Sequence, residues 1–189
     1  MIDLPAATAF LDSHARLLDR RRLDAILGGS PDGALAALAA YRNPDGGFGW
    51  GLEPDLRPSG SQPAGALHAF EVLDEIGPAT SPLGGELCDW LSSASLADGG
   101  LPFALAGADA PGSSPVWGAA DTTKSSLHIT SAVCAYAHRA GGHDGAIADH
   151  PWLARATEFC RQRISALAEP SGTYELRFVL DFLDAIAET

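Results

Sequence analysis

The sequence predicts an all-α protein built from repeated helical hairpins. Apolar residues recur at helical spacing in several segments that glycine or proline ends, whereas no segment alternates apolar and polar residues over the length of a strand. A cassette of a short apolar helix, Asp-Gly-Gly, a long loop and a second apolar helix occurs twice. Its aspartates, Asp45 and Asp98, are 53 residues apart, a period that indicates stacked supersecondary units.

Glycine and proline delimit the leading helix and the first hairpin. The predicted leading helix, residues 4–27, places its leucines and Phe10 on one face and stops at two glycines. The first hairpin pairs the alanine- and leucine-rich segment 33–43, which Pro44 ends, with the segment 63–76, which Gly77 ends.

The second and third hairpins repeat this order. The second pairs residues 83–94 with residues 121–140, which open on capping candidates that begin with Asp121. The third pairs residues 151–168, with a proline in the first turn, with residues 173–187, and it lacks Asp-Gly-Gly. About three hairpins plus a leading helix form an open arc in one domain, residues 1–189. We expect either a piece of a longer ring or an arc that a second copy completes as a homodimer.

Composition excludes several classes of partner. The chain has 12 basic and 24 acidic residues, and its net charge of −12 disfavours nucleic acids and anionic membrane surfaces. No apolar run approaches the ~20 residues of a membrane span. Three distant cysteines, Cys88, Cys134 and Cys160, cannot pair completely, and no secretory leader opens the chain. The predicted location is therefore the reducing cytoplasm.

The two cassettes resemble a known family. Residues 43–49 read Asn-Pro-Asp-Gly-Gly-Phe-Gly, and a looser copy runs from Asp98 to Phe103. Both resemble the α/α-toroid repeats of terpenoid cyclases and protein prenyltransferases, and the resemblance covers roughly residues 33–140. It implies inner helices around a central cavity for a small, partly apolar, isoprenoid-like ligand. Arg42 and Ser95 occupy the positions where that family has a glutamine that ties neighbouring repeats together. We interpret the aspartates as caps of turn amides.

The chain departs from the catalytic motifs of this family. Its protonating cyclases carry Asp-x-Asp-Asp-Thr-Ala, but the matching stretch keeps only Asp121, because Gly118 and Ala120 replace two carboxylates. No aspartate-rich magnesium motif occurs, so we expect neither the usual protonating nor the usual diphosphate-ionising chemistry. A zinc site of the prenyltransferase type is disfavoured, since the side chains of Cys88 and Asp89 diverge by about 100° on a helix. No metal or other cofactor is predicted.

Candidate catalytic residues come from equivalent places in the predicted inner helices. His68 and His128 each follow a leucine there, and Arg177 holds the same place in the third hairpin. Such a ring can bind an anion or supply an acid or base near neutral pH. Each histidine can equally hydrogen-bond a neighbouring helix or loop. The catalytic candidates are His68, His128 and Asp121, the last only where burial raises its pKa.

The long loops 45–62 and 98–120 add candidate ligand-binding residues to Arg177. These are Trp50, Glu53, Asp55, Trp117 and, just after the second loop, Lys124. The tryptophans either line a pocket or pin the loops onto the helices. The predicted function is binding of a small, partly apolar ligand, and any enzyme activity would be that of a cyclase- or prenyltransferase-like isomerase or transferase. Two alternatives stay open: a non-catalytic helical interaction module, and a glycan-processing toroid enzyme that uses paired carboxylates.

Overall fold

A computed structural model describes residues 3–77, 81–168 and 172–187. Within these ranges the chain forms ten helices and no strand beyond isolated bridges, so the all-α prediction is confirmed. The helices are α1 Leu4–His14, α2 Leu17–Ile26, α3 Asp32–Ala39, α4 Pro63–Glu75, α5 Leu83–Ala94, α6 Pro115–Gly118, α7 Leu127–Gly141, α8 Gly145–Ala148, α9 Pro151–Ser165 and α10 Thr173–Ala187. None of those helices is both long enough and apolar enough to cross a membrane.

Helix α7 lies at the centre of the core. It packs against α4 on one side and α10 on the other, and it also contacts α8 and α9. Its buried residues include Ala132, Cys134, Ala135 and Ala137, whose small side chains allow neighbouring helices to approach closely. Helices α2 and α3 pack on each other and on α4, while α5 packs on α4 and α9. The arrangement of these helices as a toroid stays a prediction.

The leading segment is two helices instead of the single predicted helix over residues 4–27. The chain is extended at Ala15 and Arg16, with ψ of 158° and 155°. This break lets the Arg16 guanidinium pair with Asp19 at 2.9 Å and donate to the carbonyl of Leu52, also at 2.9 Å. Leu18 is buried just beyond the break. Tertiary contacts of one arginine therefore override the helical pattern of the sequence.

Three further helix ends differ from their predicted positions by more than one residue, and one of them is that of α9, which ends at Ser165 instead of residue 168. Helix α3 ends at Ala39 instead of residue 43, because Asn43 donates its amide to the Gly47 carbonyl within the cassette at 2.8 Å. Helix α7 begins at Leu127 instead of Asp121, with Ser126 as its N-cap. The backbone of Ser126 bonds to the second cassette, so the helix cannot start earlier.

The aspartate of each cassette closes the same turn. One carboxylate oxygen of Asp45 accepts hydrogen bonds from the amide two residues later, at 3.0 Å, and from the hydroxyl of Ser61, at 2.7 Å. Asp98 accepts the same pair of bonds from the amide two residues later, at 3.1 Å, and from Ser125, at 2.6 Å. The interpretation of both aspartates as turn caps is confirmed. The two cassettes are local structural repeats.

The second glycine of each cassette lies under an aromatic ring of the first helix of the following hairpin. A Cβ added to Gly47 would stand 2.6 Å from Trp90 of α5. A Cβ added to Gly100 would stand 2.6 Å from Phe159 of α9. The preceding glycines have φ of +93° and +91°, which other residues rarely adopt. The Gly-Gly pair is therefore required by the turn and by the contact with the next unit.

Arg42 and Ser95, which stand three residues before the cassette aspartates, connect consecutive units. Arg42 forms an ion pair with Glu86 of α5 at 2.7 Å. Ser95, at the end of α5, accepts a hydrogen bond from the indole of Trp152 in α9 at 3.1 Å. The connection between units is thus made by an ion pair in one cassette and by an indole–hydroxyl bond in the other.

Candidate functional site

The two long loops lie against each other and form one structural unit. The buried side chain of Gln62 accepts a hydrogen bond from the amide of Leu105 at 2.8 Å. Two further bonds extend this contact: the backbone amide of Ser114 donates to the carbonyl of Asp55 at 2.7 Å, and the backbone amide of Arg57 donates to the hydroxyl of Ser113 at 2.9 Å. These bonds place the acidic residues of the first loop beside α6.

A cleft of about 400 Å³ opens where this loop unit meets α4, α7 and α10. Its volume lies within the range of small-molecule sites, about 300–1,000 Å³. Leu67 of α4 and Ile129 of α7 contribute apolar surface, and Glu53 and Asp55 contribute carboxylates. The lining also includes five ring-bearing side chains, Phe103, Trp117, His128, Tyr174 and Phe178. We call this space the aromatic cleft.

The rings of the aromatic cleft contact one another in a row. Trp117 stacks on Phe103 with 4.7 Å between ring centroids. Phe103 in turn lies 5.2 Å from His128, and His128 stacks at 5.1 Å on Phe178. The indole of Trp117 donates to the carboxylate of Asp55 at 2.8 Å. The wall is therefore fixed at one end by a charge-assisted hydrogen bond and elsewhere by ring contacts.

His128 is the imidazole in this row of rings. Burial among the rings lowers the pKa of its imidazole, although the carboxylate of Glu175 opposes the effect. Among the described residues, its ring contacts are to aromatic side chains, and its nitrogens have no hydrogen-bond partner. A neutral imidazole with free nitrogens can accept or donate a hydrogen bond to a ligand.

His68 lies outside the lining of the cleft, between the carboxylates of Glu53 and Glu71. Its Nε2 is 2.8 Å from Glu53, and its Nδ1 is 2.6 Å from Glu71, one turn further along α4. Burial alone would lower the pKa of the imidazole, but the hydrogen bonds and charges of both glutamates raise it to about 9. Burial alone would raise the pKa of Glu53, but the hydrogen bond and charge of His68 lower it. The imidazole of His68 is therefore a cation between two carboxylates at neutral pH.

The structure brings together only part of the predicted site. Glu53, Asp55, Trp117 and His128 line the aromatic cleft, and His68 contacts one of these residues. The structure does not form the predicted ring of His68, His128 and Arg177. Instead, His68 contacts Glu53, and Glu53 lines the cleft together with His128.

The other four predicted residues lie outside the lining of the cleft. Trp50 is 59% exposed, and its indole donates to Asn43. The side chain of Arg177 is 62% exposed, although the residue neighbours Phe178 in α10. Asp121 and Lys124 pair at 3.0 Å on an exposed turn, where bonds from Thr123 and the pairing with Lys124 lower the pKa of Asp121 to about 2.

The three cysteines are free thiols in the core. Cys88, Cys134 and Cys160 are all buried, and burial raises the pKa of Cys88 to about 12. Among the described residues, no group of three or more histidine, cysteine, aspartate or glutamate side chains is arranged to hold a metal ion.

Sequence reasoning missed several residues of this region, among them Phe103 of the second loop and three helical residues. Glu71 holds the second nitrogen of His68, and Tyr174 and Phe178 form the α10 side of the cleft. Each of these helical residues had a signal, because residues three or four positions apart share a helix face. Glu71 follows His68 by three positions, and Phe178 follows Tyr174 by four.

A second cleft of about 500 Å³ adjoins the aromatic cleft. It shares Phe103, His128 and Tyr174 with the first, but its further lining includes Arg163 and Ser126.

Comparisons with protein-family models, with curated proteins and with solved structures give no match for this chain. The resemblance of its cassettes to a family therefore stays a prediction.

Proposed function

We propose that the protein binds a small, partly apolar, isoprenoid-like molecule in the aromatic cleft, within an α/α-toroid arrangement of its helices. The observation that carries this proposal is the row of four rings, Trp117, Phe103, His128 and Phe178, along one wall of a 400 Å³ space. The local equivalence of the two cassettes supports the toroid part of the proposal.

Apolar burial supplies most of the affinity in this proposal. Each square ångström of apolar surface removed from water contributes roughly 25 cal/mol, and aromatic walls offer a large area at little entropic cost. The hydrogen bonds between the two loops support this proposal, because a preformed wall requires little ordering when a ligand binds.

The proposed role is binding without the usual cyclase chemistry. Asp121, which remains from the protonating motif, is an exposed carboxylate with a lowered pKa, and such a group is a poor proton donor. His128 is the side chain that we propose for any proton transfer to a ligand, because its imidazole faces the cleft in the neutral form. His68 we propose as a positioning residue for Glu53, since it is already a cation at neutral pH.

Calorimetric titration with geraniol tests the proposal. We expect saturable binding to the native protein, and a loss of affinity of about fivefold to tenfold in Phe178→Ala because part of the wall is removed. The matched control is Leu180→Ala, which truncates an exposed residue of the same helix and should leave the affinity unchanged. Absence of saturable binding, or an equal loss in both variants, would contradict the proposal.

A further inference from the structure

We infer that the ligand of the aromatic cleft carries a positively charged amine, and that Glu53 binds this group. The inference rests on the proposed function, because it names the chemical class of the molecule that the same cleft binds. Three features of the cleft lead to it: the sign of the charges on its lining, the way in which Glu53 is held, and the aromatic rings beside that carboxylate.

The charges on the lining are all negative. Glu53 and Asp55 are its acidic residues, and the described lining contains neither lysine nor arginine. The imidazole of His128 adds no positive charge near neutral pH, since burial lowers its pKa. The two carboxylates of the lining would repel an anionic ligand, whereas they would attract a cation.

The hydrogen bond and charge of His68 keep Glu53 ionised, but they do not neutralise all of the negative charge around this carboxylate. His68 is the cation that touches Glu53, at 2.8 Å, but it is shared with Glu71. One imidazolium therefore faces two carboxylates, of which Glu71 also interacts with Arg22, and Asp55 adds a third negative charge nearby. Because Glu53 is mostly buried, an ammonium group beside it would be screened less by solvent than one at an exposed carboxylate.

The rings beside the carboxylates add a second source of attraction for a cation. The face of an indole or phenyl ring attracts an ammonium group within about 6 Å of its centroid. Trp117 is joined to Asp55 by its indole N–H, so that ring and that carboxylate border the same part of the cleft. An ammonium group bound in the cleft would have both carboxylates and aromatic rings among its neighbours. The apolar body of the ligand then extends along the remaining rings.

Three ligands of matched shape test this inference by calorimetry at neutral pH: geraniol, geranylamine and geranate. We expect geranylamine to bind about tenfold more tightly than geraniol, and geranate more weakly than both. Glu53→Gln should remove most of the preference for the amine while leaving the affinity for geraniol within about twofold. The control is Glu158→Gln, the same change on the exposed face of α9, which should keep the preference.

The possible results separate this inference from the proposed function. If geraniol binds as tightly as geranylamine, or if geranate binds best, the inference is wrong and the proposed function stands. An equal loss of preference in both glutamate variants would assign the preference to the net charge of the chain and would also overturn the inference. If none of the three ligands binds, both proposals fail. Where Glu53→Gln does not fold, Asp55→Asn replaces it, with an expected loss of about threefold for the amine alone.

Discussion

The contact of His68 with two glutamates predicts a specific dependence of stability on pH. We consider His68→Gln, which removes the cation and keeps a polar side chain of similar size. The imidazole is 24% exposed, and its pKa rises from 6.5 to about 9 in the folded protein. At 1.36 kcal/mol for each pKa unit, protonated His68 contributes about 3 kcal/mol to the free energy of unfolding.

The sign of this contribution follows from the direction of the pKa change. The folded protein holds the proton more tightly than the unfolded chain, so the contribution is complete below pH 6.5. It declines as the pH rises from 6.5 and is lost above about 9, where folded His68 also releases its proton. The variant should therefore be less stable than the native protein by about 3 kcal/mol at acidic pH and by less than about 1 kcal/mol at pH 9.5.

Urea denaturation of both proteins at about pH 6, 7.5 and 9.5 measures this difference. The other histidines are present in both proteins, so their effects cancel in the comparison. His14→Gln, a change at an exposed histidine of α1, serves as the control and should shift stability by less than about 0.5 kcal/mol at every pH. A loss of stability in His68→Gln that is the same at all three pH values would refute the electrostatic reasoning and assign the effect to packing.

Three further predictions concern the repeat, the loops and the core. Gly100→Ala should lower the free energy of unfolding by about 1–3 kcal/mol in urea denaturation, because its Cβ meets atoms at 2.6 Å, while Gly60→Ala, in open space, should have little effect. Gln62→Leu should cost about 1–3 kcal/mol and speed proteolysis of the loop 98–120, since the half-buried amide of Leu105 loses its partner; unchanged proteolysis would contradict this. Cys88, whose pKa is about 12, should react with thiol reagents only after unfolding, and rapid labelling of the folded protein would show that it is accessible.

Local patterns were sufficient for much of the fold. The predicted bounds 83–94 and 173–187 are those of α5 and α10, because each segment combines a strong apolar face with clear end signals. The role of Asp45 as a turn cap was also readable from the sequence. The break at Arg16 was not, since it depends on a contact with Leu52, which is 36 residues away. Such contacts become visible only when the elements are packed.

Part of the candidate site was predicted from residue types in the sequence, whereas the rest depends on how the helices pack. The residue types of Glu53, Trp117 and His128 suggested binding, and the structure places all three around one cleft. Equivalence of repeat positions suggested that Arg177 would join them, but the rotation of α10 directs Phe178 into the cleft instead. A rotation about a helix axis is set by packing with neighbours, which a single sequence does not specify.

The contact between each Gly-Gly pair and an aromatic ring of the next hairpin has a consequence for how this chain can change during evolution. Trp90 fits over Gly47 and Phe159 over Gly100, so every hairpin carries half of a junction that its neighbour completes. Duplicating a whole unit preserves each junction, whereas exchanging one helix alone separates an aromatic ring from the glycine that it packs against. Insertions are best tolerated in the long loops between junctions, and those loops also form the aromatic cleft. Ligand preference can therefore diverge while the order of the hairpins stays fixed.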